Sequence, residues 1–187
     1  MKGLNSNRIP DRKTCLELMD KYDMLPHIRE HSYVVSKVAL SIARDLNSNG
    51  NNFDLDEIES ASLLHDITKT RSLESGEDHA KTGGELLEKL GYDRIAKIVR
   101  AHITPPDCGK RLTVEELVSY ADKRVLHTQV VSLNERFDYL FKRYGKDSRA
   151  VDRISAARER AQQIEDKIAK SASSGRRAIL MCCLDGQ

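Results

Sequence analysis

Apolar positions recur at three- and four-residue intervals along most of the chain, which is the period of an amphipathic helix. The longest such pattern runs from His31 to Leu46, where valine, alanine, isoleucine and leucine share one face. No segment alternates with the period of two that is typical of a half-buried strand. The pattern therefore predicts an all-α helical bundle. Its helices are expected over residues 11–24, 31–46, 54–66, 79–90, 93–103 and 113–122.

Local signals indicate where several of these helices begin and end. Two polar residues are followed three positions later by glutamate, as in a capping box: Asp54 by Glu57, and Thr113 by Glu116. The first helix should stop near Pro26, which places His31 in the first turn of the next one. Residues 70–76 are polar and are expected to loop over a site at the end of the third helix.

The character of the chain changes after Val125. Two further helices are predicted over residues 133–144 and 151–168, the first rich in aromatic side chains and the second highly charged, with a break at Gly145. The second could pack on the domain or on another copy of the chain, which makes a homodimer through these helices one expectation. The predicted organisation is a domain over residues 1–130 with its core at 27–126, a C-terminal helical extension over 131–170, and a flexible tail over 171–187.

Length and charge bound the classes of partner. The 187 residues suffice for one domain with a genuine core. The 31 basic and 29 acidic residues leave a net charge of +2, so no overall field recruits nucleic acid or a membrane surface. Any phosphate binding must be local. No apolar run approaches the roughly 20 residues of a membrane span, and the N-terminus lacks the apolar region of a signal peptide, so a cytoplasmic location is expected.

The candidate chemistry begins at His65 and Asp66, which directly follow an apolar helical run. Adjacent helical residues point about 100° apart, so the two can share one ion only near the end of the helix. Other segments must then supply the remaining ligands. Imidazole and carboxylate groups at the ends of separate helices suit a metal site in a bundle. The candidates are His31, His65, Asp66, His79, His102 and Asp122, whereas His27 and His127 fall outside the pattern and are interpreted as surface residues.

This ordered set resembles the HD superfamily of metal-dependent phosphohydrolases, and its motifs are similar to those of small stand-alone bacterial members. The resemblance runs from about His31 to Val125 and centres on Leu-Leu-His-Asp-Ile-Thr-Lys around His65. His79 and His102 match the two extra histidines of two-metal members. The resemblance implies that the six candidates hold two divalent transition-metal ions, drawn from iron, manganese, nickel or zinc. Asp66 is then the expected bridge between the ions.

The resemblance also implies a reaction, the hydrolysis of a phosphate ester or anhydride of a small nucleotide-like substrate by metal-activated hydroxide. Asp66 and Lys69 are the expected catalytic residues, because the lysine of this motif lies near the phosphate or behind a metal ligand. Two alternatives keep the same fold: a mixed-valent di-iron oxygenase and a non-catalytic module that binds a ligand and signals. Gly83 and Gly84 are expected to permit close helix approach. Further candidates for the cleft are Thr68, Arg71, Arg100, Lys123 and Arg124.

Overall fold

Helices make up most of the computed structural model, which describes residues 8–172. The all-α prediction is confirmed, whereas the predicted tail lies outside the described residues from position 173 onward. Within residues 8–172, no helix is both long and apolar enough to cross a membrane. The elements of this part of the chain are α1 (Arg12–Lys21), α2 (Pro26–Ser48), α3 (Leu55–Leu64), α4 (Lys69–Ser75), α5 (His79–Lys89), α6 (Asp93–Ala101), α7 (Val114–Lys123), β1 (Val125–Leu126), β2 (Gln129–Val130), α8 (Leu133–Tyr144) and α9 (Ser148–Ser171).

Two groups of buried apolar side chains hold these helices together. One group joins α2 and α7 to α8 and α9, with Tyr120 and Phe137 among its fully buried members. The other joins α1, α3, α5 and α6. Helix α3 belongs to both, since Ile58 packs in the first group and Leu64 in the second. The end of α3, where His65 follows Leu64, is therefore fixed by packing on two sides.

Three local predictions are wrong. Pro26 begins α2, because proline at the first helical position needs no N–H partner; His31 consequently lies in the second turn. Residues 70–76 do not form a loop but belong largely to helix α4, which Gly76 closes with a left-handed φ of 73°. Strands β1 and β2 form an antiparallel hairpin, and strands of two residues are too short to show a period.

The two predicted capping boxes differ. At α7, the Thr113 side chain accepts from the Glu116 N–H and Glu116 accepts from the Thr113 N–H, so this box is confirmed. At α3, Asp54 caps the helix alone. The Glu57 carboxylate instead forms an ion pair with Arg94, so a tertiary contact replaces the reciprocal half of the box.

Helix α9 is fixed to α7 by buried polar contacts. Glu116, which is fully buried, accepts hydrogen bonds from Arg160 and from Lys167 Nζ, the latter at 2.5 Å. One turn further along α7, the Tyr120 hydroxyl donates to Glu165 at 2.8 Å. The C-terminal helix therefore packs on its own chain. The boundary at residue 130 and the homodimer stay predictions.

Candidate metal centre

The six candidate ligands come from five helices, and the fold brings them to one place. Each lies within two residues of a helix end, except His31, which lies in the second turn of α2. His65 and His102 are the residues that follow α3 and α6, Asp66 comes directly after His65, His79 is the first residue of α5, and Asp122 lies in the last turn of α7.

The ligand atoms form two groups that meet at Asp66. In the first group, Asp122 Oδ1 lies 3.0 Å from His31 Nε2 and 3.7 Å from His65 Nε2. In the second, Asp66 Oδ1 lies 3.1 Å from His79 Nε2 and 3.8 Å from His102 Nε2. The other oxygen, Asp66 Oδ2, lies 3.6 Å from His65 Nε2. The two oxygens of one carboxylate thus point towards different histidines, as a bridging ligand requires.

Main-chain carbonyl groups fix the orientation of three of the histidine rings. A carbonyl oxygen only accepts hydrogen bonds, so in each ring Nδ1 carries the proton and Nε2 keeps its lone pair in the neutral form. Holding a ring by its outer nitrogen in this way is typical of metal-bound histidine. The three Nδ1 donors are His31 to the His127 carbonyl at 2.9 Å, His65 to Ser62 at 2.8 Å, and His102 to Val99 at 2.7 Å.

Two buried ligand atoms have no hydrogen-bond partner within residues 8–172. They are His65 Nε2 and Asp66 Oδ1. Leaving such a polar atom unsatisfied costs about 1–3 kcal/mol. His31 Nε2 lies 3.0 Å from Asp122 Oδ1. When the ring is neutral with its proton on Nδ1, both of these atoms carry lone pairs, and they can approach so closely only with a proton or a cation between them. A divalent ion would satisfy all of these atoms, so the residues present fit a metal.

The electrostatics of the site favour the protonation states that metal ligands need at Asp66 and at His102, whereas a bound cation would have to displace a proton from His65. Burial alone would raise the pKa of Asp66, but His65, His79 and Lys69 outweigh it and hold that pKa well below its usual range. Burial, aided by His65, lowers the pKa of His102 to about 3. Burial also disfavours a charge on His65, yet Asp66 raises its pKa above the ordinary value. An ionised Asp66 beside a neutral His102 is ready to bind a cation.

Comparison with known proteins agrees with this geometry. The family model described as HD domain matches residues 28–172. The chain belongs to the HD domain family. The match confirms the family resemblance inferred from the motif around His65 and Asp66, and it continues through the C-terminal helices to the end of the described residues.

Two curated relatives and one solved structure are similar to this HD chain. A tRNA (cytidine(56)-2'-O)-methyltransferase from Thermoplasma volcanium is 30% identical over 169 residues, which cover 82% of this chain and 47% of that protein. This chain therefore spans about half of that relative. An uncharacterized protein of Methanocaldococcus jannaschii is 29% identical over 143 residues, covering 68% and 83%. A predicted HD superfamily hydrolase from an uncultured Thermotogales bacterium has 22% identity, a TM-score of 0.49, and coverage of 87% and 90%.

Two lysines lie against the ligands of the HD site. Lys69 Nζ is 3.1 Å from His79 Nε2 and 3.9 Å from Asp66 Oδ1, and one third of its side chain is exposed. Lys123 is buried, and its Nζ donates both to Asp122 Oδ2 and to the His102 carbonyl at 3.0 Å. Lys123 therefore orients the candidate ligand Asp122, whereas the partly exposed Lys69 has the freedom to reach into the cleft.

The other cleft candidates from the sequence have structural contacts instead. Thr68 donates to the His79 carbonyl at 2.9 Å, so it ties the start of α5 to the HD motif. Lys123 lines the cleft above the candidate ligands, but Thr68 and the three arginines do not. The arginines among them are paired: Arg71 with Glu77, Arg100 with Glu88, and Arg124 with the Val131 carbonyl and the Tyr120 hydroxyl.

The predicted role of the two glycines in α5 agrees with the structure. A Cβ atom on Gly83 would lie 3.1 Å from the Val99 side chain, and one on Gly84 would lie 3.0 Å from the Ala96 carbonyl. Both neighbours belong to α6. The glycines therefore allow α5 and α6 to approach closely, which brings His79 and His102 together with their ring centroids 5.1 Å apart.

A cleft of about 880 Å³ opens above the ligands. The charged residues that line it are unequal in sign, with six cations against two carboxylates, and the two carboxylates are Asp66 and Asp122. Three apolar side chains at the rim are exposed: Leu73, Ile103 and Tyr144. His27 and His127 are exposed, in agreement with their interpretation as surface residues, but they also line the cleft. The cations are Lys69, Lys123, Arg136, Arg143, Arg153 and Arg160.

Sequence reasoning missed the contribution of the C-terminal helices to this cleft. Arg136 and Arg143 from α8 and Arg153 from α9 form part of its wall. The seven-residue spacing of Arg136 and Arg143 was a signal that both lie on one helical face. Only the packing of α8 and α9 against α7 reveals that this face looks into the HD site.

Proposed function

We propose that this chain is a metal-dependent phosphohydrolase that cleaves a phosphate ester or anhydride of a small nucleotide-like substrate. The observation that carries the proposal is the position of Asp66, whose two oxygens face His65 on one side and His79 and His102 on the other, in a cleft lined by four more cations than carboxylates. Membership of the HD domain family supports it.

Each ligand group would hold one divalent ion. His31, His65 and Asp122 would hold the first, His79 and His102 the second, and Asp66 would contribute an oxygen to each. Two such ions would lower the pKa of a water molecule and neutralise negative charge on the oxygens of the attacked phosphate. The carbonyl groups that hold the Nδ1 protons keep the rings oriented, so the protein needs little reorganisation when the ligand atoms are engaged.

Lys69 would bind the phosphate of the substrate. In the structure its ammonium group lies beside His79 Nε2, the atom that the second ion would use. Like charges repel, so a bound cation would favour rotation of Lys69 towards the open cleft, and its partial exposure leaves room for that movement. There the ammonium group would stabilise negative charge on a phosphate oxygen, as a compact point charge does.

The cleft suits a nucleotide-like substrate. Its volume falls in the range of about 300–1,000 Å³ that small-molecule sites occupy. The positive excess favours phosphate, and the apolar rim of Leu73, Ile103 and Tyr144 could cover a flat base. The methyl transfer named for the Thermoplasma volcanium relative is not part of the proposal, because this chain spans only half of that protein.

The test is a substrate panel under controlled metal and oxygen. Metal-free protein is loaded separately with manganese, cobalt, nickel or iron, and incubated without oxygen with nucleotides and phosphate esters. We expect release of phosphate or nucleotide with more than one metal, because hydrolysis needs no electron transfer. Iron-dependent oxygen uptake without hydrolysis would instead indicate the di-iron oxygenase. Metal binding without turnover of any kind would indicate the ligand-binding module.

A further inference from the structure

Arg136 on α8 carries a buried donor without an acceptor. Its Nε is buried and makes no hydrogen bond within residues 8–172, and the guanidinium forms no ion pair there. Burying such a donor without an acceptor is costly, and more so for a charged group. Arg160, which lines the same cleft, differs because Glu116 and the Pro106 carbonyl accept from it. Among the arginines that line the cleft, Arg136 therefore has the buried N–H donor whose acceptor the described residues do not supply.

The helical face of Arg136 adjoins the metal ligands. Arg136, Tyr139 and Arg143 follow at three- and four-residue steps on α8, and all three line the cleft. The Tyr139 ring contacts the His127 ring edge-on, with 5.7 Å between centroids. The His127 carbonyl accepts the Nδ1 proton of His31, a candidate ligand. This face thus continues from the metal centre through the hairpin turn into the cleft.

The missing partner of Arg136 has a definite chemistry. Both carboxylates that line the cleft, Asp66 and Asp122, already belong to the metal site. An anionic ligand in the cleft would supply an acceptor for the guanidinium and would also balance its charge. The planar guanidinium presents paired N–H donors that match two oxygens of one phosphate.

We infer that Arg136 binds a second phosphate of the substrate, while the first lies at the metal ligands and Lys69. This inference rests on the proposed hydrolysis and narrows its substrate class to molecules with at least two phosphate groups, such as nucleoside diphosphates and polyphosphates. Tyr139 and Leu140 follow Arg136 on α8 and also line the cleft. The remainder of the molecule would pack against these two side chains.

The test compares the binding of a monophosphate and a diphosphate by calorimetry. The probes are adenosine 5′-monophosphate and adenosine 5′-(α,β-methylene)diphosphate, whose bridging carbon resists hydrolysis, with manganese-loaded protein. Wild-type protein should bind the diphosphate analogue more tightly. A charge-assisted hydrogen bond predicts that Arg136→Ala weakens binding of the analogue by about 10–100-fold and so removes most of this preference. Arg136→Lys, which keeps the charge but not the paired donors, should be intermediate.

Arg149→Ala is the matched control. Arg149 is exposed on α9 and does not line the cleft, so this variant makes the same change in net charge and should keep the preference. Thermal melts verify folding, and Arg136→Gln replaces Arg136→Ala if the alanine variant does not fold.

Several results would overturn the inference. An unchanged preference in Arg136→Ala, or no preference in wild-type protein, would remove the second-phosphate site. If the substrate panel still shows hydrolysis, the proposed function survives that result. If neither probe binds and no metal supports hydrolysis, both the inference and the proposed function fail.

Discussion

Asp66→Asn tests the metal centre most directly, because one substitution acts on both ligand groups. Asparagine has nearly the size of aspartate, but it loses the negative charge and replaces one oxygen with an amide nitrogen. Asp66 Oδ1 lies near His79 and His102, and Oδ2 lies near His65. The change should therefore lower the affinity of the site for both ions. We expect wild-type protein to bind about two ions per chain, and the variant to bind only about one at the same free manganese.

The size of the effect follows from linkage between metal binding and folding. At free manganese of about 100 times the dissociation constant, one bound ion stabilises the folded chain by about 2.7 kcal/mol. For a chain of this length, about 1 kcal/mol shifts the melting temperature by about 2–4 °C, so each bound manganese ion should raise it by about 5–10 °C. Loss of a partner behind a ligand costs about 10–100-fold in affinity. If loss of the ligand itself costs the upper value of about 100-fold, the remaining rise is only about 1–2 °C for each ion.

The assay is a thermal melt of chelator-treated protein with and without manganese, together with elemental analysis of the metal-loaded protein. Asp138→Asn is the matched control, since Asp138 is exposed on α8 and lies outside the cleft lining. It should keep the full metal response. If Asp66→Asn binds two ions and shows the wild-type rise in melting temperature, Asp66 is not a shared ligand. If manganese does not stabilise wild-type protein, the proposal of a metal centre is refuted.

Two further predictions concern single side chains. Lys69→Ala should lower kcat/KM for a phosphate substrate by about 10–100-fold, the value of a charge-assisted hydrogen bond, while elemental analysis shows unchanged metal content. An unchanged rate would mean that Lys69 is only a solvated charge. Glu116→Gln should lower the free energy of unfolding, measured in urea, by about 2–4 kcal/mol. This is slightly less than the cost of breaking a fully buried ion pair, because Arg160 and Lys167 are partly exposed. A loss below about 0.5 kcal/mol would mean that apolar contacts alone fix α9.

The sequence determined most of the helices and the set of candidate ligands, because both depend on short-range patterns. Apolar spacing defined α2 and α3, and the Thr113 side chain needed only Glu116, three residues away, to cap α7. The order of histidines and aspartates carried the family resemblance. The same local reasoning failed for α4, which has no buried residue and therefore no apolar stripe to predict it.

Only the tertiary structure decided which residues surround the ligands. His31 and the His127 carbonyl are 96 positions apart, yet their hydrogen bond orients a candidate ligand. Glu116 has a local role as a cap, but its buried contacts with Arg160 and Lys167 depend on α9 packing against α7. The same packing places Arg136 in the cleft. Local patterns record contacts within a turn or two of helix, whereas the wall of a cleft is made where distant segments pack together.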